Sequence, residues 1–295
     1  MSVVVAGAVT GCSSSESEQA EPTTAAASAA VDAVGDDSLS ILLTNDDGWN
    51  APGITALRTA LQAAGHDVTV VAPSADKSGT SASANFRGPL TVTTPEPGVW
   101  AVDGTPADSV LFGLASVLAD TPPDLVISGS NKGNNTGLGI NYSGTVGAAV
   151  TATGMGIPAI AVSTDTPQGP EVAVEDFGPT ADFVTQLVRS LPRERPVAEG
   201  TVINVNYPRG RSADDVKGVL MTSTSRSPFA EFTYEPADPA TSYGIKVAVS
   251  STSADGTDAA AIADGMAAVS VLDVGREPTE EQSGPISDVV SGLHP

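Results

Sequence analysis

Apolar positions in this chain come as short continuous runs separated by amphipathic stretches, and that alternation predicts an α/β fold. From Leu39 onward, strands are expected at 40–44, 68–72, 99–102, 124–128, 158–162 and 201–205. Runs such as Ile41-Leu42-Leu43 and Val68-Thr69-Val70-Val71-Ala72 are apolar at consecutive positions, as in parallel strands covered by helices on both faces. Between the first two, Pro52 suits the first turn of a helix, Ile54, Leu57 and Leu61 fall on one face, and Gly65 ends it. Further helices are expected at 107–119, at 144–154, where Ala and Gly allow close packing, and at 179–191, where Phe183, Leu187 and Leu191 are spaced by four. The segment 209–260 alternates less regularly and reads as an arm or hairpin excursion. Residues 262–272 read as a return strand and 278–292 as a final helix. The expected fold class is therefore α/β: a three-layer, Rossmann-like, mostly parallel sheet with helices on both faces, plus a C-terminal arm or hairpin.

In such a sheet, ligands bind beyond the carboxyl ends of the strands. The polar, glycine-rich segments of this chain fall at those ends. The first strand runs into Asn45-Asp46-Asp47-Gly48, the second into Pro73-Ser74-Ala75-Asp76-Lys77-Ser78-Gly79, and the strand at 124–128 into Gly129-Ser130-Asn131-Lys132-Gly133-Asn134-Asn135. Tyr142-Ser143-Gly144-Thr145-Val146 follows and opens the Ala-rich helix. Segments distant in sequence are thus expected to meet on one rim.

The Asp46-Asp47 pair is the most informative of these segments. Two uncompensated neighbouring carboxylates repel, and a cation between them removes that cost. Asn-Asp-Gly is also a common turn signal, so a plain Asx-type turn competes with a divalent-metal site. Ser143-Gly144-Thr145 is a candidate phosphate site, because a helix N-terminus offers unpaired N–H groups and the positive end of its dipole. An ordinary Ser or Thr cap is the competing role. Thr105 reads as a cap and Pro106 as the first residue of the next helix.

Composition removes several chemistries. One cysteine allows neither an intrachain disulfide nor a Cys-rich zinc or iron–sulfur site. The two histidines, His66 and His294, sit in a turn and near the C-terminus and are read as surface residues; no G-x-S-x-G elbow or Walker A loop is present. With a net charge of -22 and only 13 Lys plus Arg, a nucleic-acid polymer is not an expected partner, whereas a small phosphorylated ligand held through a metal ion is compatible. No apolar stretch is long enough for a transmembrane helix.

The N-terminus is different in kind. A short apolar stretch over residues 1–11 leads to Val9-Thr10-Gly11-Cys12, which resembles a bacterial lipobox with Cys12 as the lipidation site, although no Lys or Arg precedes Arg58. Residues 13–37 are Ser, Ala, Thr, Glu and Asp with few large apolar side chains, and are expected to be a disordered tether. The expected layout is a truncated signal or lipobox segment at 1–12, the tether at 13–37 and the α/β domain at 38–295. Export as a cell-surface lipoprotein is the expected localisation, and a cytoplasmic one if the signal is not real.

Taken together, the motifs resemble the SurE family of 5'/3'-nucleotidases. The likeness is carried by Leu42-Leu43-Thr44-Asn45-Asp46-Asp47-Gly48 with Ala51-Pro52-Gly53, by Val70-Val71-Ala72-Pro73 with Lys77-Ser78-Gly79, and by Gly104-Thr105-Pro106 with Asp108. It continues through Ser128-Gly129, Asn131, Gly133 and Asn135, then Tyr142 to Val146, Ile203-Asn204-Val205-Asn206-Tyr207-Pro208, and Gly256-Thr257-Asp258 with Gly265. It spans roughly residues 39–275. The resemblance implies one divalent cation per subunit, Mg²⁺ or Mn²⁺, held by Asp46, Asp47, Ser78 and Asn131, an all-oxygen set suited to hard ions. It also implies catalysis through Asp46 or Asp47, contacts to substrate from Asn45, Asn135, Ser143, Gly144 and Thr145, and a homodimer or higher oligomer formed through a C-terminal arm. The implied substrate is a nucleoside monophosphate or another small phosphomonoester. Departures are Ser74, where relatives usually carry an acid, Lys132 and Asn134 in variable loop slots, and the segment 221–226, which only partly matches. The competing reading from another class is a tethered solute-binding lipoprotein without catalysis; a third is a family member that lost activity and serves as an adhesin.

Overall fold

A nine-stranded sheet forms the centre of the protein, seen here in a computed structural model that describes residues 38–166, 172–193, 196–209, 213–239, 241–249 and 253–275. The Cys12 motif, the tether, His294 and the helix expected at 278–292 lie outside the described residues. The strands are β1 (Ser40–Thr44), β2 (Asp67–Pro73), β3 (Val92–Glu96), β4 (Val99–Val102), β5 (Leu125–Lys132), β6 (Ala159–Thr164), β7 (Thr201–Tyr207), β8 (Val219–Met221) and β11 (Ala267–Asp273), in the order β3-β4-β2-β1-β5-β6-β7-β11-β8. The stretch from β4 through β2, β1, β5 and β6 to β7 is parallel; β3 and β11 each run antiparallel to their neighbours β4 and β7. Strands β9 (Ala230–Ala237) and β10 (Ser242–Val249) form a separate antiparallel hairpin, in the segment expected to be an excursion.

Side-chain alternation along each strand feeds two cores. Ile41, Leu43, Leu125 and Ile127 pack on one face with α1 (Pro52–Ala63) and α4 (Gly178–Ser190), through Ile54, Leu57 and Leu61 of the first and Ala181, Val184 and Val188 of the second. Leu42 and Val126 point the other way, onto Val110 of α2 (Pro106–Phe112) and Val146, Ala148 and Ala149 of α3 (Gly144–Gly154). Because both faces are covered, β1 and β5 carry apolar residues at the consecutive positions 41–43 and 125–127. Three layers result. A buried stripe through 181, 184 and 188 replaces the one expected through Phe183, Leu187 and Leu191, which are only partly buried beside it. Thr105 and Pro106 behave as read: Thr105 Oγ1 accepts from the Asp108 N–H at 3.1 Å, Asp108 Oδ2 accepts from the Thr105 N–H at 2.9 Å, and Pro106 is the first helical residue.

Three further corrections apply. Strands β3 and β8 had no counterpart in the expected elements. Each lies at a sheet edge and is largely exposed: β3 has Thr93, Thr94, Pro95 and Glu96 facing solvent and no apolar run, and β8 is only the three residues Val219, Leu220 and Met221, too short to mark a strand. The return strand begins at Ala267, because Asp258–Ala263 forms a short helix, α5, capped by Thr257. His66 is not a surface residue. It is buried, and its Nδ1 accepts from the Leu39 N–H at 3.2 Å, tying the end of the first helix–strand turn to the start of β1.

The strand order also fixes where a ligand can bind. From β1 the chain moves outward to β2 and β4, then returns to place β5 on the other side of β1. The reversal leaves a crevice beyond the carboxyl ends of β1 and β5, between the loops that leave them in opposite directions.

Candidate functional site

Asp46 and Asp47 leave the tip of β1 at that crevice. The turn that aims them is held by Asn45, whose Nδ2 donates to the Gly48 carbonyl at 2.9 Å and whose Oδ1 accepts from the Gly48 N–H at 3.2 Å. Gly48 has φ +111°, which an L side chain rarely adopts. Asn45 was expected among the substrate contacts. It is instead fully buried, with both ends of its amide engaged in the turn, so its work is to fix the two carboxylates.

Asp46 is almost wholly buried and reaches the wall of a cavity of about 340 Å³. Burial pushes its carboxyl pKa up; hydrogen bonds from the Thr145 hydroxyl and from the Thr145 backbone oppose that. The hydroxyl bond, Thr145 Oγ1 to Asp46 Oδ1, measures 2.6 Å. Thr145 and Gly144, expected as phosphate contacts, also have structural roles at Asp46. Thr145 is fully buried and supports Asp46. Gly144 is required because a Cβ there would lie 2.8 Å from Asp46 Cβ, so the close approach it permits is that of the helix to the aspartate. The Thr145 backbone hydrogen bond places a protein carboxylate at the positive end of α3. Ser143 accepts from the Val146 N–H at 3.1 Å as a helix cap and also lines the cavity.

Asp47 is held by the Lys132 N–H, which donates to its Oδ2 at 3.0 Å across from β5. Its pKa is pushed up to about 6, first by burial and then by the neighbouring Asp46. Both shifts have the sign expected of anions packed together without a countercharge.

Ser78 and Asn131 share the cavity wall with Asp46. The Ser78 loop is anchored where the Lys77 N–H donates to the Asp46 carbonyl at 2.7 Å, and is turned by Asp76 Oδ1, which accepts from the Ser78 N–H at 2.7 Å. Asn131 follows a register break in the β5–β6 ladder between Ser128 and Asn131. Its Nδ2 donates to the Gly133 carbonyl at 2.8 Å, which leaves its Oδ1 as the end available for a ligand. Among the described residues no three His, Cys, Asp or Glu side chains converge, so a cation held here must take neutral oxygens as well. Two carboxylates, a hydroxyl and an amide carbonyl at one crevice meet that requirement with hard-ion donors. The raised carboxylate pKa values point the same way, since a bound cation would relieve them.

Asn135 also lines the cavity, and its loop is clamped from β7. Asn206 Oδ1 accepts from the Asn135 N–H at 2.7 Å, and the Asn135 carbonyl accepts from Asn204 Nδ2 at 3.0 Å and Asn206 Nδ2 at 2.9 Å. The period of two in Ile-Asn-Val-Asn places both amides on one face of the strand. Asp258, fully buried, holds the opposite wall: Oδ2 accepts from the Gly137 N–H at 2.8 Å, and Oδ1 from the Ser225 and Ala259 N–H groups at 2.9 and 2.8 Å. None of the three had been given a role, although the motifs containing them had been noted; alternation along 203–206 was the usable signal. Pro228 and Phe229, which also line the cavity, lie where no periodicity marked an element. Cys12 lies outside the described residues.

The profile of a family described as "Survival protein SurE" matches residues 41–231. The chain belongs to the SurE family. It is 41% identical over 199 residues to a protein of Syntrophotalea carbinolica named 5'-nucleotidase SurE, covering 68% of this chain and 76% of that one. It is 42% identical over 201 residues to the protein of the same name from Geobacter sulfurreducens, covering 68% and 74%. The crystal structure of the SurE protein of Aquifex aeolicus superposes with a TM-score of 0.72 at 31% identity, covering 85% of this chain and 99% of the other. The α/β architecture with its mixed, mostly parallel sheet and separate hairpin is thus a SurE fold.

Proposed function

We propose that this chain is a divalent-cation-dependent phosphomonoesterase that hydrolyses nucleoside 5'-monophosphates, and 3'-monophosphates as the motif resemblance implies, to nucleoside and phosphate. The observation that carries the reading is the cavity at the β1–β5 crevice, which joins Asp46, Ser78 and Asn131 to Asn135 and Ser143. The relatives named 5'-nucleotidase support the substrate class. Asp46, Asp47, Ser78 and Asn131 would hold one cation, Mg²⁺ or Mn²⁺, which would supply charge neutralisation at the phosphoryl group. Thr145 and the Lys132 N–H hold the two carboxylates in place. Asn135 and Ser143 offer hydrogen bonds to the phosphoryl oxygens from the same cavity. Asp46 or Asp47 accepts the proton of the attacking water. His66 is buried at the far end of β1 and takes no part.

A substrate panel tests the proposal: phosphate release from AMP with added Mg²⁺ or Mn²⁺ is expected. Stoichiometric AMP binding without turnover would favour the solute-binding reading instead.

Two extensions belong to the same proposal. A homodimer or higher oligomer is supported by the hairpin, on which Phe232 and Val247, Tyr234 and Ile245, and Pro236 and Tyr243 are cross-strand pairs sharing one largely exposed apolar face. Lipid anchoring at Cys12, with residues 13–37 as tether and 38–295 as the catalytic domain, rests on the lipobox-like sequence. Mass spectrometry of the mature N-terminus is expected to find Cys12 acylated, and an unlipidated protein beginning at Met1 contradicts it.

A further inference from the structure

We propose that this chain carries a second ligand site, a pocket between α1 and the β3–β4 hairpin that binds one neutral sugar ring. The pocket encloses about 260 Å³ and shares no lining residue with the cavity at the β1–β5 crevice. α1 supplies its wall, whereas Ser143, the cap of α3, lines the other cavity from the opposite helix layer. Trp49 reaches the pocket from the turn that follows Asp47, held where its N–H donates to the Pro73 carbonyl at 2.9 Å. The indole is only partly buried against the core. With Ile54 and Val70, both buried, it gives the pocket its apolar surface.

The polar wall is built around Arg58. Its guanidinium pairs with Glu96 and also donates from Nη2 to the Pro97 carbonyl at 3.4 Å. The register of β3 against β4 breaks between Thr93 and Glu96, and a break of that kind re-aims the side chain beside it. Arg58 Nε is buried and, among the described residues, meets no acceptor. A buried N–H without an acceptor is unfavourable, and a ligand oxygen placed against it removes that penalty. Thr55 and Thr59 donate their hydroxyl protons to the Ala51 and Thr55 carbonyls, both at 2.9 Å, and so face a ligand as acceptors. Asn50 and Gln62 add amides that both donate and accept.

Three properties of the pocket select its occupant. Its volume lies just below the usual range for drug-sized ligands, which suits a molecule of about one ring. Its one cation and its one carboxylate are already paired with each other, so a charged ligand finds no countercharge of its own. What is left is a mixed set of donors and acceptors together with an indole. A sugar ring carries hydroxyls that donate and accept around its edge, and C–H groups on its face that suit the electron-rich face of an aromatic ring. A phosphate ester would instead set its charge against Glu96.

The test is ligand-observed saturation-transfer NMR on the full chain with D-glucose, D-galactose and D-mannose, and with L-glutamate and inorganic phosphate as charged controls. At least one hexose is expected to bind with a dissociation constant of about 1 mM, the scale for so small a ligand, and to stay bound in excess AMP. Arg58→Lys keeps the charge but loses the Nε–H, and should weaken binding by about tenfold. Gln62→Ala, at an exposed helix position, should weaken it more mildly while leaving the melting curve unchanged. Saturation transfer to none of the three hexoses overturns the proposal. So does tighter binding of glutamate or phosphate than of any hexose, or an affinity unchanged in both variants. Displacement of the hexose by AMP would put it in the β1–β5 cavity and overturns the second site as well.

Discussion

Asp46 and Asp47 are adjacent in sequence but supported from different elements, one by Thr145 of α3 and the other by the Lys132 N–H of β5. Their raised pKa values set a pH dependence. For Asp47 the folded value of about 6 lies above the ordinary 3.8, so its contribution to stability is present below 3.8 and is lost as pH rises through about 6. A cation binds the ionised form and must displace the proton. Cation affinity is therefore expected to climb across that window and level off above it, with proton release that calorimetry in buffers of different ionisation enthalpy can measure. An affinity flat across the window contradicts the assignment. Removing the support should act more mildly than removing the ligand: Thr145→Val is expected to lower cation affinity by about 10- to 100-fold, with Thr145→Ser close to wild type, as read by cation titration. At this scale the sequence identified the residue types but not their partners. Asn45, Gly144 and Thr145 all belong to the site, yet which neighbour takes a given hydrogen bond depends on how α3 and β1 pack, and spacing along the chain carries no such information.

At the scale of elements, legibility followed burial. β1, β2, β5, β6 and β7 could be read because helices cover both faces of the sheet and each strand carries several buried apolar residues. β3 and β8 are exposed edges, and α5 is six residues long, too short to show a helical period. Asp258 at the start of α5 illustrates the cost of such gaps, since it joins two walls of the cavity through three backbone N–H groups. Asp258→Ala leaves those donors buried without an acceptor and is expected to cost about 3 kcal/mol in urea unfolding. A loss below measurement error would show that the walls hold without it. The hairpin carries its own prediction. Tyr234→Glu with Ile245→Glu places two charges on its apolar face, and light scattering is expected to find a smaller assembly than wild type. An unchanged mass would place the interface elsewhere.

At the scale of the molecule, the opposition is between a net charge of -22 and a substrate that is itself an anion. A field of that sign slows the approach of a phosphomonoester, and salt screens it over about 8 Å at physiological ionic strength. At fixed Mn²⁺, kcat/KM for AMP is expected to rise as NaCl is added from low ionic strength. A steady fall would mean that a local positive field governs approach. The proposed cation would make an anionic substrate compatible with so acidic a protein, and that compatibility is open to a direct measurement. Protein stripped with EDTA is titrated with Mn²⁺ while phosphate release from AMP is followed, for wild type, Asp46→Asn and Asp47→Asn, with melting curves confirming that each is folded. Release should be absent in stripped wild type, return with the cation, and fail to return in either folded variant. Full turnover in the stripped enzyme, or in both variants, would contradict the assignment of these strand-tip carboxylates.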